Sequence, residues 1–216
     1  MEKYVIFDWG GVILKEYPEN NSDRHAIFKT FKKFNPDLSE DEIWNIYLTT
    51  LRDSSNMHIS KLNNQYAFLA YFERVKEAAK FNCTFDEFVG TYSQNMIDCD
   101  TYKDVEEFIY SLNGKVKLAL FSDLLFVHEP AIRSHVNFDA FDKVFLSFVE
   151  GIHKSEVEAF EYVESVLGVV GEQILFIDNM ERNINNAKLR NWNTCQAFGY
   201  ELDKIKEAVS NFLDKE

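Results

Sequence analysis

The sequence predicts an α/β fold: a parallel sheet flanked by helices, with a helical unit inserted after the first strand. Three observations lead there. Residues 4–14 run Tyr-Val-Ile-Phe-Asp-Trp-Gly-Gly-Val-Ile-Leu, an apolar, β-favouring stretch that stops at Asp8 and turns at once on two glycines. From residue 23 to about 98 the apolar period is helical, with no strand between. After residue 100, short apolar runs alternate with helical segments to the end of the chain, the pattern of a parallel sheet with helices on its faces.

Each element has its own signal. The first strand ends at Asp8. Residues 15–24 (Lys-Glu-Tyr-Pro-Glu-Asn-Asn-Ser-Asp-Arg) are polar and turn-rich, so they read as a linker. About four helices fit in the region that follows. Ser39-x-x-Glu42 and Thr84-x-x-Glu87 are capping-box signatures. Tyr66, Leu69, Ala70, Phe72, Val75 and Ala78-Ala79 recur at three-to-four spacing and predict one buried face of a helix over 62–79. Thr101 is placed to cap a helix running to about Asn113, which Gly114 ends. Strands are predicted at 116–121, 143–146, 173–177 and 194–198. Helices are predicted at 127–135, 154–167, 181–190 and 201–213, with Gly168 closing the second of these. The division that results is a core of 1–14 and 99–216 and a helical unit of 15–98.

Composition narrows the function. The chain has 216 residues, enough for one sizeable core and a smaller second unit. A net charge of −13 disfavours free nucleic acid and anionic membrane as partners. Cys83, Cys99 and Cys195 are scattered and show no C-x-x-C spacing, so neither a disulfide framework nor a zinc site is implied and a reducing compartment is the simplest setting. The first strand starts too early to leave room for a signal peptide. No apolar run approaches the roughly 20 residues that cross a bilayer. The expected location is cytoplasmic.

The residues with chemistry fall at strand ends. Asp8 ends the first strand, Ser122-Asp123 the second, and Asp178-Asn179 the fourth; Lys154 follows Gly151-Ile152-His153 where a helix is expected to begin. In a parallel sheet the three strand ends share one edge, and open α/β sheets bind ligands in the crevice there. A carboxylate at that edge is placed to be a nucleophile or a metal ligand. Asp123 is equally suited to touching substrate or to capping the next turn. His128, His135 and His153 show no metal-ligand spacing. Trp9 either shapes the pocket wall or packs beneath the turn. The aromatic residues of 15–98 recur near helical spacing and read mostly as core.

Four stretches in this order resemble the haloacid dehalogenase superfamily of hydrolases, most of which are phosphatases. They are Phe7-Asp8-Trp9-Gly10-Gly11-Val12-Ile13, Leu120-Phe121-Ser122-Asp123, the run from Asn137 to Ser147 with Gly151-Ile152-His153-Lys154, and the run from Ile174 through Asp178 to Asn183 and Ala187. The Gly-Gly form of the first is similar to sugar-phosphatase and epoxide-hydrolase-N-terminal-like members, whose helical cap is inserted where 15–98 lies. The resemblance implies a Rossmann-like core and a Mg2+-dependent phosphatase acting on a small phosphorylated metabolite, with sugar phosphates among the candidates. Asp8 would attack phosphorus and form an aspartyl-phosphate. Asp8, Asp178 and the Gly10 carbonyl would bind Mg2+. Ser122 and Asp123 would contact substrate, and Lys154 would neutralise charge on Asp8 and the transferring group.

Three positions depart from the family pattern. Gly10 stands where most such phosphatases carry a second aspartate that protonates the leaving oxygen and then activates water, a contribution of typically a hundred- to ten-thousand-fold. Leaving groups that need little protonation suffer least from that loss; anomeric sugar phosphates and aryl or acyl phosphates fit. Asn179 replaces one of an acidic pair. Ser155 replaces a common proline, and Ser155-x-x-Glu158 is itself a capping signature. Two other readings stand beside the phosphatase: a metal-independent haloacid-type dehalogenase, in which Asp8 attacks carbon, and a catalytically weak or inactive relative that binds or regulates. Neither the oligomeric state nor the residues that select substrate can be read from the sequence.

Overall fold

The computed structural model describes residues 2–15, 22–52 and 61–214. In chain order the strands and α-helices are β1 (Tyr4–Phe7), α1 (Ser22–Phe34), α2 (Glu40–Arg52), α3 (Lys61–Ala79), α4 (Phe85–Ile97), α5 (Lys103–Ser111), β2 (Lys117–Ser122), α6 (Glu129–His135), β3 (Lys143–Leu146), α7 (Ser147–Glu150), α8 (Val157–Leu167), β4 (Ile174–Asp178), α9 (Glu181–Leu189), β5 (Asn193–Gln196) and α10 (Leu202–Leu213). The five strands form one parallel sheet in the order β3-β2-β1-β4-β5. The chain winds from β1 out to β3, then crosses to the other side of β1 for β4 and β5. The switch in direction lies between β1 and β4, where such sheets open a crevice.

Both faces of the sheet are buried, which is why its central strands read as continuous apolar runs and not as alternations. Val5, Phe7, Leu118, Leu120, Leu175 and Ile177 face one apolar cluster, shared with α1, α3, α4, α5, α6 and α10. Tyr4, Ile6, Ala119, Phe121, Ile174 and Phe176 face a second, built with α8 and α9. Helices α1–α4, inserted after β1, supply Phe31, Phe72 and Phe88 to the first cluster, which is continuous with the sheet face.

Local signals explain the helix ends. Thr84 and Glu87 form a reciprocal capping box at the start of α4. Ser39 and Glu42 do the same for α2, with Ser39 N–H donating to Glu42 Oε2 at 2.7 Å and Glu42 N–H to Ser39 Oγ at 3.3 Å. Gly168, with φ of 71°, ends α8 in the left-handed conformation that favours glycine.

Several expectations are corrected. Thr101 does not cap α5: its residue bridges to Leu14, its hydroxyl is buried without a hydrogen-bond partner, and Tyr102 holds the cap position. Ser155 does not cap α8, which starts at Val157; its N–H and hydroxyl both meet His153 Nδ1 instead. Lys154 therefore lies in the turn before the helix. On α3 the buried face is Phe68, Tyr71, Phe72, Val75 and Ala79, whereas Tyr66 is 67% exposed and Leu69 38%. The helix rotates its larger rings inward, so half of the predicted stripe faces solvent. Most of the predicted linker, residues 16–21, lies outside the described residues. No helix among the described residues is long and apolar enough to cross a membrane.

Candidate active site

Register brings the first two acids together. Phe7 pairs with Ile177, so Asp8 and Asp178 stand level on neighbouring strands, and level residues of adjacent strands project to the same face. On the other side Phe7 pairs with Leu120, which puts Ser122 just beyond the level of Asp8. The loop between β3 and α8 then carries Lys154 into the gap. Its ammonium lies 2.9 Å from Asp8 Oδ1 and 2.7 Å from Asp178 Oδ2. All four residues are buried, Lys154 to 1% exposure and Asp178 to 0%.

Hydrogen bonds fix each group. Asp8 Oδ1 accepts from Ser122 Oγ at 2.8 Å and from the Trp9 N–H at 2.7 Å, in addition to the ammonium. Among the described residues, Oδ1 takes all of the Asp8 side-chain hydrogen bonds and Oδ2 takes none. Asp178 Oδ1 accepts from the Met180 N–H at 2.7 Å, and Oδ2 from Asn183 Nδ2 at 3.0 Å. The Lys154 backbone is held from both ends: its N–H donates to Asp123 Oδ1 at 3.0 Å, and its carbonyl accepts from Asn186 Nδ2 at 2.9 Å. Asp123 also pairs with His153 Nε2 at 3.2 Å.

Charge follows geometry. Burial works against the Lys154 ammonium, but the carboxylates of Asp178, Asp8 and Asp123 outweigh it and raise its affinity for the proton. Burial pushes the Asp8 carboxyl up to about 7; the Lys154 charge opposes the rise, the Asp178 charge adds to it, and the Ser122 hydrogen bond opposes it. Asp8 is thus a carboxylate in need of a cation. Burial and the nearby Arg182 lower the proton affinity of His153.

The cleft at this edge, about 300 Å3, is lined by Asp8, Gly10, Ser122, Asp123, Lys154 and Asn183, among others. A larger cleft of about 1020 Å3 opens at the opposite end of the sheet around Lys3, Lys117 and Asp142, away from these groups. Asp178 is at the bottom of the site and does not line the cleft directly.

The donor set fits a hard divalent cation. Asp8 and Asp178 offer oxygen alone, the kind of ligand that Mg2+ takes. Asn183 Oδ1 is buried and has no hydrogen-bond partner, an acceptor left over beside the two carboxylates. With Asp8 ionised, Asp8, Asp178 and Lys154 together carry one net negative charge, so a cation is electrostatically welcome. Among the described residues no group of three acidic, histidine or cysteine side chains comes together as a ready cage. The fit is instead that of an ion held by one or two carboxylates, waters and substrate phosphate.

Every residue singled out from the sequence reaches this edge. Four others were missed. Asn183 and Asn186 share one face of α9, three residues apart, and pin Asp178 and Lys154; that spacing was visible. Ser147 Oγ accepts from the Leu124 N–H at 2.8 Å and donates to the Leu124 carbonyl at 3.1 Å, clamping the loop after Ser122, and nothing in the sequence marks it. Arg182 lines the cleft from α9. Trp9, for which the sequence left pocket wall and packing beneath the turn both open, is buried with its ring 5.9 Å from that of His135 and lines the cleft. The Gly-Gly turn also has a structural cause. Gly11 has φ of 73°, and a Cβ there would run into the Asn179 side chain.

A parallel sheet with paired acids at its switch point and helices inserted after the first strand defines an architectural class, and comparison with solved structures specifies it. A HAD-family enzyme from Bacteroides thetaiotaomicron, solved in complex with magnesium and inorganic phosphate, superimposes with a TM-score of 0.64 at 20% identity over 92% of this chain and 96% of that one. A predicted HAD-like family hydrolase from Porphyromonas gingivalis gives a TM-score of 0.70 at 18% identity, with both chains covered completely, 100% and 100%. The L-2-haloacid dehalogenase of Xanthobacter autotrophicus, with chloropropionic acid covalently bound, gives 0.62 at 17% identity over 90% of this chain and 76% of that one. Neither a protein-family model nor a curated protein sequence matches the chain. The fold is that of the haloacid dehalogenase superfamily.

Proposed function

We propose that the protein is a Mg2+-dependent phosphatase that hydrolyses a small phosphorylated metabolite through an aspartyl-phosphate on Asp8. The observation that carries this reading is the pairing of Asp8 and Asp178 on one buried ammonium beside an unpartnered Asn183 oxygen. That arrangement suits a cation and a phosphate together. A structurally similar enzyme binding magnesium and inorganic phosphate supports it.

The roles follow from the contacts. Asp8 Oδ2 attacks phosphorus while Oδ1 stays anchored by the Trp9 N–H. Lys154 stabilises negative charge that grows on the transferring group. Ser122 Oγ turns from Asp8 to a phosphoryl oxygen. Asp123 holds the Lys154 amide and, with His153, forms the polar rim that meets the substrate. Asp8, Asp178 and the Gly10 carbonyl would hold Mg2+, which neutralises phosphate charge when bound. With Gly10 unable to donate a proton, the favoured substrates are those whose leaving group departs as a stable anion. Residues 15–98 act as the cap that receives the leaving group, with 1–14 and 99–216 as the catalytic core. Three free cysteines and an acidic surface suit a cytoplasmic enzyme without nucleic-acid or membrane partners.

A panel of phosphorylated metabolites assayed with and without Mg2+ tests the reading. Turnover that needs both Mg2+ and Asp8 is the expected result. Metal-free release of halide from a 2-haloacid would replace it with the dehalogenase reading. Equal inactivity of wild type and Asp8→Asn on the whole panel would leave a binding or regulatory protein.

A further inference from the structure

The cap side of the cleft carries a second, partly enclosed cavity that the chemistry at Asp8 does not use. It lies among α1, α2, α3, α4 and the loop before α6, and its walls include Ile27, Phe31, Phe68, Tyr71, Tyr92 and His128. His128 lines both cavities, so this one adjoins the cleft holding Asp8 at that residue. The cleft's own lining includes the apolar Leu14, Met96 and Leu124.

His128 Nδ1 accepts from the Leu125 N–H at 3.2 Å, so Nε2 carries the hydrogen and donates to Tyr92 Oη at 3.0 Å. Size excludes a sugar or an aromatic ring. The cavity holds about 40 Å3. One water needs roughly 10–15 Å3 of such space, whereas a cavity that admits benzene is on the order of 150 Å3. About three heavy atoms of a slim aliphatic chain fit.

Gly10 sets an independent condition, since the leaving oxygen receives no proton from it. A carboxylate leaves without one. Resting on the phosphatase reading, we propose that the substrate is a short-chain acyl phosphate, its phosphate at Asp8 and its alkyl tail in the adjoining cavity beside His128. Asp8 Oδ2 bonds to phosphorus as the bond from phosphorus to the acyl oxygen breaks, and that oxygen keeps the electron pair as a fatty carboxylate. Water then attacks phosphorus, Asp8 leaves as carboxylate, and the water's proton passes to solvent with inorganic phosphate as product.

The experiment is a chain-length series. Acetyl, propionyl, butyryl, hexanoyl and octanoyl phosphate are assayed with Mg2+ beside glucose 6-phosphate and phenyl phosphate, with Asp8→Asn subtracting spontaneous hydrolysis. The expected kcat/KM rises about tenfold per methylene to a maximum at propionyl or butyryl, and falls for longer chains. Glucose 6-phosphate and phenyl phosphate lie about a hundredfold or more below the maximum. Ile27→Ala enlarges the cavity and moves the maximum to a longer chain; Ile27→Val makes the same test with a smaller change, should the first variant fold poorly. A flat series, or better turnover of the sugar or aryl ester, overturns this inference and leaves the phosphatase reading standing. No Mg2+-dependent turnover of any phosphate overturns both.

Discussion

The Lys154 ammonium lies 2.7 Å from the Asp178 carboxylate, with both side chains sealed from solvent. Removing one partner of a buried ion pair leaves an uncompensated charge, at a cost of about 3–5 kcal/mol. Here two acids lose their cation at once. Lys154→Met is expected to lower Tm sharply in chelator, to regain part of the loss in Mg2+, and to reduce kcat by about a hundredfold or more. Thermal melts with EDTA and with Mg2+ check it. A variant as stable as wild type in EDTA would contradict the pairing.

On the proposed reading, Asp8 links pH to metal binding. Burial raises its carboxyl to about 7, so proton and cation compete for the same oxygens below that pH. Apparent Mg2+ affinity is expected to fall by about tenfold per pH unit below 7. Calorimetric titrations at pH 6 and 8 measure it, and an unchanged affinity would be the contrary result.

The same group bears on stability in the opposite sense. Its folded value stands above the unfolded one of about 3.9, so the folded state binds the proton more tightly. That contribution is fully present below pH 4 and is lost as pH rises through about 7 in the metal-free protein. Asp8→Asn removes it. Melts in chelator at pH 5 and 8 are therefore expected to show wild type losing more stability than the variant on going to pH 8.

Gly11 and Asn179 meet across the switch point, and there is no room for a methyl group between them. Gly11→Ala also forces a side chain onto a φ of 73°. Together these predict a loss of at least about 1–3 kcal/mol and a collapse of activity, because the turn that carries Asp8 must shift. Denaturant unfolding and kcat on one generic phosphate suffice to check this. Asn179→Gly is expected to relieve the clash and restore part of the stability to the double variant.

Glu164 serves the scaffold. Buried to 4% exposure, it accepts from Trp192 Nε1 at 2.8 Å, the Gly171 N–H at 3.2 Å and the Arg190 guanidinium. Burial opposes its charge, but the hydrogen bonds from Arg190, Trp192 and Gly171 prevail and hold the carboxyl below its ordinary value. Its contribution is present above about pH 4.3 and is lost as pH falls through the lower folded value. Glu164→Gln is expected to cost about 1–3 kcal/mol at pH 7, with the difference shrinking toward pH 3. Urea melts across that range test the direction.

Much of this was legible before any coordinates. The strand ending at Asp8, the helical stretch after it and the later βα alternation were read from period and glycine placement, because burial on two sheet faces demands continuous apolar runs. The Thr84 capping box was visible because its chemistry is local. Errors came where the outcome depended on contacts distant in sequence. Thr101 has the chemistry of a cap, but its residue is drawn into a bridge with Leu14. Tyr66 has the spacing of a core residue, but the rings of Phe68 and Tyr71 take the buried face. Ser155 departs for a local reason instead: the imidazole of His153, two residues away, takes its hydroxyl and N–H.

The sequence by itself determined the order of elements, the sheet class and the identity of the strand-end residues, since each rests on local period, turn chemistry and composition. Tertiary structure alone decided that one lysine would bridge two acids, that Asn183 would keep a bare oxygen next to Asp178, and that a small apolar space would form beside His128. Those outcomes depend on register between strands more than 100 residues apart and on packing between helices. Such distances between groups are set by the whole fold and leave no trace in local sequence.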